Sequence, residues 1–421
     1  MILRLLVARR FLPLFVTQGL GAMVDNLFKN ALAVLALFTF AQSGPVLVAA
    51  AGGVFILPYV LFSSAAGQLA EGLEKSRLIR LTKAWEVLLM LLASAGFWLG
   101  NFYLLMLVLF GLGVQATFFS PLKYGILPVH LAGDELLAGN GLVEAGTFVG
   151  ILAGTILGGA LILGADGRAI VSGLGLVLSV TGLAASFAIP LAPASAPGLR
   201  VGWNLPAETV RLVRLGHARA DVWLCITGIG WFWAIGALVL AEFPVIAKDV
   251  LGGGPDVVTL LLTMFSIGVG VGSVACARLL HGRVSARLAP WAAVGISIFA
   301  LDFAFAVTAE GAAGRMADAA AVLGSAQGWR MLGDLLLLAA CGGAYSVPLY
   351  AVMQVRARPE ELSRMIGCNN VMNAVYMVVA AVIAGGLAAA SVSSPRILQV
   401  MAAANLLFAA WLYRRLKARG L

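Results

Sequence analysis

Within an apolar run that extends from Phe11 to Phe40, the chain places Asp25, Asn26, Lys29 and Asn30. Asp25 and Lys29 are four residues apart and share a helix face, with the acid toward the N-terminus, the better order for a helical pair. Asn26 and Asn30 repeat that spacing one step around. At mid-bilayer a charged side chain costs roughly 2.5–3.5 kcal/mol on insertion scales. A polar face this wide must therefore line a watery cavity or a protein interior. The chemistry on offer is recognition: one charge of each sign, with amides beside them, suits a zwitterionic solute. The plain alternative is a self-neutralised pair that stitches helices together.

Further polar groups interrupt later apolar spans. Lys123 and Tyr124 close a fourth, Asn140 and Glu144 open a fifth, Glu242 lies in a seventh, Asp302 in a ninth, and Asn369 and Asn370 in an eleventh. All but Asp302 join the first group as candidate substrate-binding residues. For Lys123 the alternative is an interfacial anchor whose ammonium snorkels to the headgroups. For Glu144 it is a carboxylate favoured near a helix N-terminus. Gly67, Glu71, Lys75 and Arg77 fill the turn between spans two and three, where the acid can bridge to partners across the molecule. They are the candidate gating residues. Gly146, Gly150, Gly154 and Gly158 recur every four residues and leave a bare helix stripe for close backbone approach. The stripe serves either static packing or a sliding interface. Gly268, Gly270 and Gly272 mark span eight.

The elements that must position these groups follow from composition. Of 421 residues, 61% are hydrophobic and only 11% charged, far too little charge for a soluble surface. Crossing the hydrocarbon takes about 20 apolar residues as a helix. Twelve spans fit, near 11–40, 47–70, 78–100, 102–127, 139–164, 169–192, 221–247, 257–280, 286–308, 331–355, 364–391 and 395–414. A β-barrel would show short alternating segments instead.

The net charge of +9 sits in clusters: Arg4, Arg9, Arg10; Lys75, Arg77, Arg80, Lys83; Arg200, Arg211, Arg214, Arg219; Arg278, Arg283, Arg287; Arg356, Arg358, Arg364; and Arg414, Arg415, Lys417, Arg419. They fall between alternate pairs of spans, which places both termini in the cytoplasm and speaks for a topology signal rather than nucleic-acid binding. No cleavable signal peptide is expected. Cys225, Cys276, Cys341 and Cys368 are scattered, and His130, His217 and His281 are far apart, so neither a disulfide framework, a metal site nor a cofactor is expected.

The segment 193–220, with Pro193, Pro197, Pro206 and four arginines, reads as a linker between halves 1–192 and 221–421. The halves repeat weakly, about 227 residues apart: Ser120-Pro121-Leu122 against Ser346-Val347-Pro348, Asp134-Glu135-Leu136 against Glu360-Glu361-Leu362, and Gly139-Asn140-Gly141 against Gly367-Cys368-Asn369-Asn370. Six plus six spans in parallel repeat is the arrangement of major facilitator transporters. The glycine–acid–base loop at Gly67 matches their loop signature, with Glu71 where an Asp is usual. In that superfamily spans five and eight face each other across the halves.

A narrower resemblance rests on several blocks. Thr17-Gln18-Gly19-Leu20-Gly21-Ala22 followed by Asp25-Asn26-Leu27-Phe28-Lys29-Asn30 looks like the opening of the lysophospholipid transporter family. So do Ser120-Pro121-Leu122-Lys123-Tyr124-Gly125-Ile126-Leu127-Pro128, Gly139-Asn140-Gly141-Leu142-Val143-Glu144-Ala145, and Val347-Pro348-Leu349 with Gln354. The resemblance implies a flippase that moves lysophospholipids, such as lysophosphatidylethanolamine, from the outer to the inner leaflet of a bacterial inner membrane. Cytoplasmic enzymes then reacylate them. Relatives occur alone or fused to acyltransferase and acyl-carrier-protein synthetase domains, so a separate acylating partner is expected here, with the transporter a monomer. Family members carry a basic residue inside span seven, whereas Val222–Ala241 is uncharged. Lateral access between the halves, past the span-five glycines, would spare the acyl chain an aqueous passage.

Two other classes fit less well. A proton-coupled transporter of small amphipathic compounds would use Asp25 or Glu144 as its proton carrier. A membrane acyltransferase commonly needs a His with an Asp five residues on. Here Asp134 and Asp221 stand four residues after His130 and His217, and no Ser–His or Cys–His constellation is apparent.

Overall fold

In a membrane every backbone N–H and C=O must be satisfied within the protein, so long apolar runs become helices. The computed structural model describes residues 2–39, 44–313 and 318–421. It has twelve helices of 20 residues or more: α1 Leu12–Thr39, α2 Gly44–Gly72, α3 Lys75–Leu99, α4 Phe102–Gly125, α5 Leu136–Leu161, α6 Gly167–Ser186, α7 Ala220–Val245, α8 Pro255–Leu279, α9 Ala289–Ala313, α10 Ala326–Arg356, α11 Leu362–Ala389 and α12 Ser394–Ala418. Each matches a predicted span. No strand occurs among the described residues. Eleven of the twelve are apolar and long enough to cross a membrane. The exception is α3, whose first turns hold Lys75, Arg77, Arg80, Lys83 and Glu86.

Local chemistry fixes where helices begin and stop. The Glu74 carboxylate accepts from the backbone N–H groups of Ser76 and Arg77 and caps α3. Gly100, at φ 61°, takes the left-handed conformation that ends α3, and Asn101 caps α4 by accepting from the Leu104 N–H. Ser325 opens α10 in the same way through Gly328.

Helices α1–α6 pack chiefly on one another: α1 against α5 and α6, α2 against α4, and α3 against α4 and α6. Helices α7–α12 do likewise, with α8, α9 and α7 on α10, α12 on α9, and α11 on α7. The two groups meet along α5 with α8 and α2 with α11, and through smaller contacts of α4 with α11 and α5 with α10. An even number of crossings brings both chain ends to one face. That face also carries most of the basic clusters and is called the basic face below. No extended contact joins α1 to α7 among the described residues.

The segment read as a linker contains a helix, Leu205–Ala218, that sequence reading left out. It lies across α2 and α11. Gln68 of α2 donates to Glu208 at 2.8 Å and accepts from the Gly202 N–H at 2.8 Å. In the Glu310–Gln327 segment, Ala319–Leu323 is a short helix capped by Asp318, and residues 314–317 lie outside the described residues.

The span-five glycines do not form a sliding surface between the groups. A methyl at Gly150 would meet Gly19 and Ala22, at Gly154 Met23 and Asn26, and at Gly158 Leu27. All of these are on α1. Gly146 meets Phe15 and Gln18 of the same helix. The stripe clamps α1 to α5. On α8, Gly268 and Gly272 face the α10 backbone, and only Gly270 looks across to Ala145 of α5.

Candidate functional site

A cavity of about 380 Å³ opens between the helix groups, walled by α1, α2, α3, α4, α5, α7, α10 and α11. Seven of the eleven candidate binding residues line it: Asp25, Asn26, Lys29, Lys123, Tyr124, Glu144 and Asn370. Asp25 and Lys29 are partly open. Neither is ion-paired among the described residues, and Asp25 Oδ1 has no hydrogen-bond partner. The stitching-pair alternative therefore does not describe them. Instead the Lys29 ammonium lies 4.4 Å over the Phe55 ring and that of Lys123 4.7 Å over Tyr124, contacts that favour a cation without neutralising it.

Glu144 is two turns inside α5 rather than at its opening, because α5 begins at Leu136. Its Oε1 accepts a 2.5 Å hydrogen bond from the Tyr124 hydroxyl. Glu144 Oε2 is unpartnered. The Tyr124 ring stacks on Tyr350 with centroids 4.6 Å apart and planes 6° from parallel. Every charged lining residue comes from α1, α3, α4 or α5. Helices α7, α10 and α11 contribute Trp233, Tyr350, Asn370, Asn373, Ala374 and Met377.

Four candidates lie elsewhere. Asn30 donates to Thr155 Oγ1 at 3.1 Å and to the Asn26 carbonyl at 3.0 Å, joining α1 to α5. Glu242 is buried far along α7, outside the cavity. Asn369 donates to the Tyr350 hydroxyl at 3.4 Å. Asn140 donates at 2.6 Å to Gln354 Oε1 of α10, while Gln354 Nε2 donates to the Tyr124 carbonyl at 3.0 Å. Asp302, midway along α9, is ion-paired with Arg330 near the start of α10, both side chains partly open.

The candidate gate divides in the same way. Glu71 is fully buried and accepts from the Arg364 N–H at 3.0 Å and from its guanidinium Nε at 2.6 Å. Gly67 makes this approach possible, since a methyl there would sit 2.9 Å from Arg364 Cα. Lys75 and Arg77 do not reach across: Lys75 donates to Ser195 at 3.5 Å, and Arg77 is exposed beside Glu74. Ser120 of α4 donates to Asn370 of α11 at 3.0 Å. All side-chain hydrogen bonds between α1–α6 and α7–α12 among the described residues lie between the cavity and the basic face. The protein is latched on that side. Just outside the spans, Arg219 grips Glu361 through two bonds of 2.8 and 2.9 Å, which holds that carboxyl below its ordinary range.

No family model matches the chain. Curated relatives do. The lysophospholipid transporter LplT of Salmonella newport (strain SL254) is 32% identical over 368 residues, which cover 83% of this chain and 81% of the relative. LplT of Salmonella typhimurium (strain LT2) matches with the same figures. The chain belongs to the lysophospholipid transporter family. Among solved structures, the human organic anion transporter MFSD10 (TETRAN) superposes with a TM-score of 0.71 at 15% identity, covering 97% of this chain and 99% of that one. The major facilitator transporter FucP gives 0.70 at 13% identity, with 97% and 99% covered. These likenesses establish the major facilitator fold.

For this member of the lysophospholipid transporter family, sequence reading overlooked much of the cavity wall: Gln18, Tyr59, Lys83, Gln115, Thr147, Trp233, Tyr350 and Asn373. Lys83 is a correction, having been counted in a loop cluster that marks topology. It stands about 12 Å along α3, with a fully buried side chain 2.7 Å from Glu86. Its i,i+3 spacing to Glu86, inside the predicted span 78–100, was the available signal. The uncharged Val222–Ala241 stretch contributes Trp233 to the cavity wall.

Proposed function

We propose that the chain carries lysophospholipids such as lysophosphatidylethanolamine from the outer to the inner leaflet of a bacterial cytoplasmic membrane. It does so by alternating access of the halves 1–192 and 221–421 about the linker 193–220. One observation carries the reading. An unpaired carboxylate and an unpaired ammonium stand one turn apart on α1, in a cavity whose α2 and α11 walls are apolar at Gly52, Phe55, Ile56, Ala374 and Met377. A zwitterionic headgroup satisfies both charges, and one acyl chain lies against the apolar walls. Burying that chain in water would forgo about 0.8 kcal/mol per CH₂. A lateral path between α2 and α11 lets the chain stay in lipid.

The basic face is the cytoplasmic one in this reading, with both termini inside, so the latched conformation presents its cavity to the outer leaflet. The protein works as a monomer, and a separate cytoplasmic enzyme reacylates the product. The test follows labelled lysophosphatidylethanolamine and a water-soluble control across vesicles with and without the protein, and with and without a proton gradient. Protein-dependent movement of the lysolipid alone supports the reading. Movement of the control, or arrest when the gradient collapses, favours a proton-coupled carrier of small compounds.

A further inference from the structure

Lys83 and Glu86 form the one ion pair among the described residues with both side chains shut off from solvent, each 0% exposed and 2.7 Å apart. Gln115 of α4 donates to the same carboxylate oxygen at 2.9 Å, and Glu86 Oε1 has no partner. The ammonium lies 5.0 Å over the Phe119 ring. Lys83, Gln115, Phe119 and Gly21 border the cavity, whereas Glu86 stands behind them. A methyl at Gly21 would collide with the Lys83 ammonium, so this bare position lets α3's cation reach α1 one turn from Asp25. A buried ion pair is a poor stabiliser, because apolar side chains of like volume often do as well. Helix adhesion alone therefore gives little reason for a lysine at the cavity wall.

We propose that Lys83 is a second phosphate subsite, taken up after the headgroup has left Lys29. This rests on the lysophospholipid reading above. Gly21, Asp25 and Lys29 share a face of α1 at four-residue steps, each about 6 Å. Two cations thus stand about 12 Å apart along the path with a carboxylate between them. Lys29 and Asp25 are partly open in the latched conformation, while Lys83 is sealed. The phosphate meets Lys29 first. When the halves rearrange, Lys83 turns one of its donors from Glu86 to the phosphate, and Gln115 remains on Glu86 so that the carboxylate is not stranded. An ammonium has three donors, and Glu86 occupies one. Lys123, one turn beyond Phe119, continues the path toward the basic face. The second half adds no cation to the cavity, so the phosphate has only these lysines to follow.

The test uses the double variant Lys83→Met/Glu86→Gln, which removes both charges and buries no lone one. Uptake of labelled lysophosphatidylethanolamine and thermal stability are measured in parent and variant. The expected result is a parent-like Tm and KM with kcat reduced about tenfold or more. Lys83→Arg, which keeps a phosphate-binding cation, is expected to exceed the double variant in kcat. Parent-like kcat in the double variant overturns the proposal. So does a joint fall of Tm, KM performance and kcat, which marks a structural pair, and so does a Lys83→Arg variant no better than the double. Absence of uptake by the parent itself is a separate outcome and strikes the functional reading instead.

Discussion

Asp25 and Lys29 were legible because ionisable residues at bilayer depth must face polar surroundings, and the structure opens a cavity beside both. What spacing could not reveal was whether they pair. A four-residue step permits a salt bridge but does not impose one, and here Phe55 takes the Lys29 ammonium instead. Asn30, Asn140 and Asn369 illustrate the opposite limit. An amide in an apolar span must be satisfied, and neighbouring groups bond Asn30 and Asn140 outside the cavity, while Asn369 donates to the cavity-lining Tyr350 hydroxyl and keeps an unpartnered Oδ1. Lys83 was hidden because a lysine early in a span resembles an interfacial anchor. Its role depends on Gly21, 62 positions earlier in the chain. At this scale the cross-half bond to Gln354 gives a prediction. Gln354→Leu leaves the Asn140 amide without its 2.6 Å partner. The latched state is expected to lose about 1–3 kcal/mol, read as a lower Tm in detergent.

Among the elements, α1 and α5 are joined backbone to backbone. Gly154→Leu or Gly158→Leu must push α1 off α5 at Met23 and Leu27, and is expected to cost at least about 1–3 kcal/mol, measured as reduced folded yield and Tm. The periodicity disclosed a bare stripe but not its partner, since the same spacing serves any close helix neighbour. The latch makes a second prediction. Arg364→Ala removes the guanidinium and leaves buried Glu71 only the backbone N–H of position 364, a penalty of at most about 3–5 kcal/mol on the latched conformation. Cys368, fully buried one turn further along α11, is expected to become open to alkylation in that variant, as mapped by mass spectrometry. Continued protection would contradict the latch. Glu361 supplies a pH test. Its folded-state pKa is lowered by Arg219, so the pair stabilises above the ordinary carboxylate value and fades as pH falls through the lowered one. Glu361→Gln is therefore expected to reduce Tm at neutral pH, with the gap to the parent closing in acid.

Across the whole molecule, hydrophobic length and basic clustering made twelve helices readable, including α3 despite its charged first turns. The linker helix Leu205–Ala218 was missed because it lies along the surface and carries no membrane-length pattern. The distribution of charge is the molecule's main asymmetry: α1, α3, α4 and α5 hold every ionisable side chain of the cavity except the tyrosine of α10 and that of α2. In the proposed reading the first half grips a charged headgroup while the second closes over it with amides and aromatic rings. The most direct measurement of that claim is the initial rate of lysophosphatidylethanolamine uptake into vesicles carrying the parent, Asp25→Asn or Lys29→Ala, normalised to folded protein. The expected result is a loss of at least about tenfold in each variant at parent-like Tm. Parent-like uptake in both would contradict the account.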